Sequence, residues 1–415
     1  MRILWICPTL LHPTINGSQI RTLGILRHLS RNNEIHFVGT ARRDQTTQQR
    51  DEYCAEVYAF PHQPPKRSSP RFAVDALLNV FSEIPLNVAR YASRPALECV
   101  TRLLSANTYD AVVVDFLLSV PNLPAAALEN AVLFQHNVEA CIMGRLATEA
   151  KSAPRRAYLS YVTRRLERYE KDVCSRVRHV ITVSQADSAY IENRYGVKST
   201  TPVPTGVNVR HFERPDGAVP SGPESDLVFI GSLDYLPNVE GVHWFVERVL
   251  PLIHAARPAT TVSLVGKSPV QSIEEIGAKD TRIRVTGTVP DIRPYLWNAS
   301  VSVVPLFAGS GTRLKIYEAM ATGTAVVSTT VGAEGLAHTD GTDIVLADSP
   351  EAFAAACLEL LEHRDRRDSI ARAGHTLVKD RFDWSAVALR FQEILERVTG
   401  PGSTARKQRS ADGTI

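Results

Sequence analysis

The sequence predicts an α/β protein of two Rossmann-like domains facing an interdomain cleft. Apolar, strand-like runs alternate with helical patterns twice over along the chain. A join with three prolines and two glycines, Pro215–Pro223, falls near the middle. At 415 residues the chain is too long for one ordinary core and suits two. The divisions that follow are 1–212, a first domain; 213–224, a linker; 225–380, a second domain; 381–399, a last amphipathic helix; and 400–415, a tail without apolar pattern, expected to be disordered.

Hydrophobic content of 44% and charged content of 22% are those of a soluble globular protein. No run approaches 18 uncharged apolar residues, so no membrane-crossing helix is expected. MRILWICPTLLHP is too brief an apolar run for a signal segment and reads as the first core strand. The cysteines Cys7, Cys54, Cys99, Cys141, Cys174 and Cys357 are scattered, without C-x-x-C spacing. They point to a reducing cytoplasm, and no metal site is expected. Residues 1–215 carry 27 Lys and Arg against 19 Asp and Glu, and residues 216–415 carry 20 against 25. A basic first half suggests an anionic partner, lipid headgroups or a phosphate-bearing acceptor. No dense basic face with interleaved aromatics supports nucleic-acid binding.

Arg2–Cys7 is a buried-strand pattern ended by Pro8, followed by a turn at Gly17 and a helix with Ile20, Leu23, Ile25, Leu26 and Leu29 at helical spacing. G-x-G-x-x-G is absent there, which weakens a nicotinamide-cofactor reading, and no cofactor is expected. Glu34–Val38 and Val57–Phe60 read as strands, His62–Pro70 as an irregular loop, and Phe72–Val80 and Pro95–Ser105 as helices. Strand Ala111–Val114 delivers Asp115, which either meets an acceptor hydroxyl or caps the next helix. Strand Ala131–Phe134 delivers Gln135, His136 and Asn137 at its carboxyl end, where ligands of open α/β sheets sit.

Lys151–Arg178 holds nine cations and three acids, with Tyr158, Tyr161, Val162, Leu166, Tyr169 and Val173 on one helical face. That pattern fits the core-facing side of a long helix or a docking element for an anionic membrane surface, and both hold if only the basic side meets lipid. After strand Val180–Val183 and the join, strands Leu227–Ile230, Val262–Val265 and Ile283–Val285 follow; Lys267 trails the second. Glu351–Glu362 and Arg366–Lys379 read as covering helices.

Within Val301–Gly335 the chain reads strand, glycine loop, helix and strand, one βαβ unit. Arg313 and Lys315 fall in the helix's first turn, where the dipole disfavours cations unless an anion sits beside them. The backbone N–H groups of Gly311 and Thr312 point the same way, so the helix start is a diphosphate site. Glu318, about one and a half turns on, is placed to accept hydrogen bonds from ribose hydroxyls. Glu334 is a sugar-hydroxyl contact or a plain loop acid.

The string GSGTRLKIYEAMATGTAVVSTTVGAEGL resembles the donor-binding segment of the retaining, nucleotide-sugar-dependent glycosyltransferases of family four, which have the GT-B fold. The resemblance extends to about Val398 and implies transfer of a sugar from a nucleotide-diphosphate donor to an acceptor hydroxyl, with retention and without a divalent metal. Many members carry two glutamates eight positions apart; Glu318 matches the second, and Ser310 stands in place of the first. By the same resemblance Gly17 is the loop glycine beside the sugar, with Arg21 a helper, and His136 meets the sugar or the reacting centre. Thr288 and Val289, after Gly287, face the nucleobase through backbone groups. Gly231 opens the diphosphate loop, PVPTGVNVRHF at Pro202–Phe212 is the hinge, and the last helix crosses back to the first domain. Many members follow that glycine with an Arg and, five residues later, a Lys, but here Ser232 and Pro237 hold those places. Arg313 and Lys315 are the nearest replacements, with Lys267 either a further cation or an ordinary loop residue.

The expected partners are a nucleotide-sugar donor and a sugar, lipid-linked or small-molecule acceptor, in surface polysaccharide or glycolipid synthesis. The expected location is cytoplasmic, peripheral at the inner membrane face. Two rivals stay open: a nucleotide-sugar epimerase of the same fold, which consumes donor without acceptor, and a non-catalytic partner subunit, which the uncharged Ser232 and Pro237 would suit.

Overall fold

A computed structural model describes residues 1–14, 16–41, 45–62, 79, 82–148, 150, 152–215, 223–308 and 313–400. The predicted loop after His62, the predicted helix Phe72–Val80 apart from Asn79, Lys151, the interior of the Pro215–Pro223 join, and the predicted tail apart from Gly400 lie outside the described residues. Two compact units divide the chain: Met1–Pro204 together with the chain from Val387, and Thr205–Ala386.

The first unit is built on strands β1 (Arg2–Cys7), β2 (Glu34–Ala41), β3 (Glu56–Pro61), β4 (Ala111–Asp115), β5 (Ala131–Phe134), β6 (His179–Thr182) and β7 (Thr200–Pro202). They form a parallel sheet in the order β3-β2-β1-β4-β5-β6-β7, with Trp5 of β1 level with Phe37 of β2 and Val113 of β4. The central strands are apolar on both sides because helices cover both faces. Leu4, Ile6, Val112, Val114, Leu133 and Val180 meet Val100 and Leu103 of the helix Arg94–Ala106 and Leu166 and Val173 of the helix Ala153–Arg176. On Trp5, Phe391 of the last helix, Trp384–Thr399, packs with ring centroids 5.5 Å apart. Burying such a side chain fully contributes about 1.5–3 kcal/mol. The order reverses between β1 and β4, which leaves a crevice beyond their carboxyl ends.

The second unit repeats the plan with β8 (Ser225–Ile230), β9 (Val262–Val265), β10 (Ile283–Val285), β11 (Ala299–Val304), β12 (Ala325–Ser328) and β13 (Val345–Leu346). This parallel sheet runs β10-β9-β8-β11-β12-β13, so its switch point lies between β8 and β11. The helix Leu314–Ala321 lies between β11 and β12 in the chain and buries Ile316, Tyr317, Ala319 and Met320. Met320 fits against Gly374 of the helix Arg364–Arg381, where an added Cβ would lie 3.0 Å from its Cγ. The Tyr317 hydroxyl accepts the Ala337 N–H at 3.0 Å, which ties the segment after β12 to this helix.

Candidate functional site

In the second unit several of the residues expected to hold the donor gather at the switch point. β8 ends in Gly231, and the next helix, Leu236–Trp244, carries the buried Asn238 in its first turn. The Lys315 ammonium donates to Asn238 Oδ1 at 2.9 Å and lies 4.5 Å from the Phe229 ring centroid. The Asn238 amide donates in turn to the Ser232 carbonyl at 2.8 Å, which fixes its orientation. A Cβ on Gly231 would stand 2.8 Å from both Lys315 Nζ and Asn238 Nδ2, so any side chain here would push aside the lysine that reaches over it. Burial pulls the Lys315 ammonium down to about 8, with Arg313 lowering it further and Glu318 opposing.

Arg313 occupies the cap position of the helix Leu314–Ala321 rather than its first turn; its side chain is 9% exposed and reaches 4.0 Å from the Glu334 carboxylate, itself 73% exposed. Glu334 sits in the turn after β12, beside Gly332, where an added Cβ would stand 2.5 Å from Ser328 Oγ. The Glu318 carboxylate takes no hydrogen bond from any described residue, and burial raises its pKa, with Lys315 opposing. A half-buried acid without a donor is set up to receive hydroxyls. Ser310, Gly311 and Thr312 lie outside the described residues.

Of the other donor-side expectations, Ser232 and Lys267 border the Gly231 turn, while Thr288 and Val289 stand further off. Lys267 is exposed just past β9, and its carbonyl accepts the Leu233 N–H at 2.9 Å. Ser232 gives its hydroxyl to Asp234 at 2.6 Å, so the place after Gly231 where the resemblance leads one to look for an arginine holds a polar pair. Thr288 is exposed and Val289 packs on the core beside Gly287, whose φ of +66° suits glycine; they follow the edge strand β10, two strands from β8.

In the first unit the His136 ring is 1% exposed, stacked on Phe116 at a 4.0 Å centroid separation and touching Phe134. Phe116 holds this place with a φ of +72°, a conformation costing about 1 kcal/mol or more. His136 Nε2 lies 2.7 Å from Asp115 Oδ1, and Arg21 Nη1 lies 3.3 Å from Nδ1. A guanidinium only donates, so Nδ1 accepts and the single ring proton sits on Nε2, facing Asp115. Burial lowers the His136 pKa against the pull of Asp115, which agrees with a neutral ring. The ring N–H expected to meet a sugar is therefore turned inward, and the guanidinium of Arg21 is what the ring orients.

Asp115 corrects both of its expected roles. It is completely buried, and besides His136 it accepts from Trp5 Nε1 at 3.0 Å and from Thr22 Oγ1 at 2.7 Å. It neither caps the following turn nor faces solvent, because three buried polar groups need its charge. Gly17 opens the helix Gly17–Leu29, capped by Asn16, and an added Cβ there would meet open space.

Sequence reasoning missed Asn238 and Glu139. Glu139, in the turn after His136, begins the helix Glu139–Thr148, and burial with Glu170 nearby pushes its carboxyl up to about 7. Glu170 itself accepts from the backbone N–H groups of Glu139 and Ala140 and from the Tyr195 hydroxyl. The Pro237-Asn238 pair at a helix start was the available signal for the first; the second stands in the Val138-Glu139-Ala140 stretch after the His136-Asn137 pair, for which no role was read. Among the described residues no group of three or more His, Cys, Asp or Glu side chains could hold a metal ion.

Comparison with known proteins agrees with this layout. The profile of Glycosyltransferase Family 4 matches residues 15–211, and that of Glycosyl transferases group 1 matches residues 224–363. The chain belongs to glycosyltransferase family four. A phosphatidyl-myo-inositol mannosyltransferase of Mycolicibacterium smegmatis is 30% identical over 209 residues, 48% of this chain and 52% of that protein. The chain thus spans about half the length of the curated mannosyltransferases it matches. A glycosyltransferase of Rickettsia africae is similar in structure, with a TM-score of 0.64 and 12% identity over 96% of this chain and 98% of that one. Alr3699/HepE of Anabaena, solved in complex with UDP, gives a TM-score of 0.60 and 16% identity over 96% of this chain and 100% of that one. Both likenesses establish the fold of this family-four chain as GT-B. Among its described residues no helix is long and apolar enough to cross a membrane.

Proposed function

We propose that this family-four chain transfers a sugar from a nucleotide-diphosphate donor to an acceptor hydroxyl, with retained anomeric configuration and no divalent metal. The observation that carries the reading is the ammonium of Lys315 held over Gly231 by Asn238 at the β8/β11 switch point. The leaving diphosphate gains charge as the glycosidic bond breaks, and preplaced cations stabilise it without reorganisation. Lys315 and Arg313 supply those cations in place of the arginine and lysine that Ser232 and Pro237 lack. Glu318 accepts the ribose hydroxyls. In the first unit Gly17 gives the sugar room, and Arg21, oriented by His136 and Asp115, lies beside it. Binding of UDP by Alr3699/HepE supports a nucleoside diphosphate, and the name of the mycobacterial relative supports a lipid-borne acceptor in glycolipid or surface polysaccharide synthesis.

The test is acceptor-dependent release of nucleoside diphosphate from a panel of nucleotide sugars, with and without EDTA. NMR of the product gives the anomeric configuration. Release without acceptor would favour an epimerase or hydrolase. The pairing of Ser232 with Asp234 puts an acid where a diphosphate would approach and favours one rival, a non-catalytic partner subunit. Failure to bind any nucleotide would decide for it.

A further inference from the structure

The helices Glu139–Thr148 and Ala153–Arg176 form an antiparallel hairpin in the first unit. Its register is fixed at three points: Glu170 accepts from the backbone of Glu139 and Ala140, an added Cβ on Gly144 would lie 3.7 Å from Thr163, and Arg156 donates to the Ala150 carbonyl. The apolar stripe of the longer helix is core only in its second half. Leu166 and Val173 are buried there, whereas Tyr158 is 53% and Tyr161 37% exposed. Residues 152–158 are all exposed, so the stripe runs out of the core.

Beside it the shorter helix exposes Ile142 at 41% and Leu146 at 45%, one turn apart on one face. Four large apolar side chains in solvent on one hairpin are a cost without a partner.

Among the described residues the exposed charges left unpaired around them are of one sign. Arg145, Arg155, Arg164 and Arg168 are exposed and have no hydrogen-bond or ion-pair partner among the described residues. Tyr161, Arg164 and Arg168 follow one another at helical spacing on the solvent side. The described acids of the hairpin are already occupied or withdrawn from solvent: Glu167 pairs with Arg194, Asp172 with Arg176, Glu170 lies inside, and Glu139 is half-buried beside Glu170. Unpaired arginines around exposed aliphatic and tyrosine side chains are complementary to one surface, the anionic headgroup layer over acyl chains.

We infer that this hairpin docks the protein on an anionic bilayer, with Ile142, Leu146 and Tyr158 entering the interface and the arginines meeting headgroup phosphates. The sequence pattern pointed to the longer helix alone; the apolar contribution of the shorter one comes from the structure. The inference is independent of the glycosyl-transfer reading.

The test is co-sedimentation of the full chain with phosphatidylglycerol-containing vesicles and with phosphatidylcholine vesicles, at low and high salt. Binding is expected only to the anionic vesicles, weakening with salt. The double variant Arg155→Glu/Arg164→Glu should lower the bound fraction more than about tenfold, since each cation contributes severalfold. Arg94→Glu, a reversal on another exposed helix of the same unit, should leave it unchanged. In Leu146→Trp, emission should shift to the blue on anionic vesicles and stay put with inorganic phosphate, which separates a membrane from a free anion. Each variant is checked for a wild-type melting temperature. Binding lost equally in Arg94→Glu, or co-sedimentation without a shift in Leu146→Trp, would overturn the assignment, as would no binding to anionic vesicles.

Discussion

Raising the pH through about 8 should discharge the donor site, because burial has brought the Lys315 ammonium to that value. A diphosphate beside the amine raises its pKa again, so binding takes up a proton wherever the free lysine is neutral. At pH 7 about one free lysine in ten is neutral, and at pH 9 about nine in ten. If only the charged form binds, affinity for the nucleoside diphosphate falls roughly tenfold between those values, about 1.4 kcal/mol. Calorimetry in two buffers of different ionisation enthalpy reads both quantities at once. Proton uptake should climb from near zero to near one as the affinity drops. Lys315→Met should bind weakly and show neither trend. An affinity that is flat from pH 7 to 9, or the same slope in Lys315→Met, would refute the assignment of Lys315 to the diphosphate.

Two glycines in the same neighbourhood should behave differently. Gly231→Ala crowds only the ends of Lys315 and Asn238, so it should cost about 1 kcal/mol or less in urea unfolding yet weaken nucleotide binding about tenfold. In Gly266→Ala the new Cβ would stand 1.7 Å from the Gly231 carbonyl oxygen, a backbone clash expected to cost about 3 kcal/mol or more in the same unfolding experiment. Asp115→Ala strands Trp5, Thr22 and the His136 ring without an acceptor and should lose about 3 kcal/mol or more on denaturation. Glu139 has a folded pKa raised to about 7, so the folded state binds more protons than the unfolded one between its ordinary range and that value, and stability falls as pH rises through the window. Glu139→Gln should remove this part of the pH dependence, read by thermal melts from pH 5 to about 8.

The alternation of apolar runs and turn signals made nearly every central strand legible, because a doubly covered parallel strand is apolar throughout. The short edge strands were not: β7 is Thr200–Pro202, three residues without a single large apolar side chain, and β13 is two residues long. Glu139–Thr148 was missed as a helix because its partner is another helix, which leaves Ile142 and Leu146 exposed and blurs the apolar periodicity. In the candidate site, Arg313, Lys315 and Glu318 were singled out by charge at a helix start, and the structure places them there. What a local pattern cannot carry is a partner from elsewhere in the chain. Asn238 meets Lys315 from 77 residues away, and Asp115 draws on Trp5, Thr22 and His136. The inward turn of the His136 ring follows from that network and not from the motif around it.

The most direct test of the account is calorimetric titration of UDP, GDP and TDP into the purified protein, beside Glu318→Ala and Arg313→Ala/Lys315→Ala. The account predicts that one nucleotide binds to the wild type, that the double variant loses binding about a hundredfold or more through removal of two charge-assisted contacts, and that Glu318→Ala weakens it less. Unchanged binding in the double variant, or no binding of any nucleotide to the wild type, would contradict it.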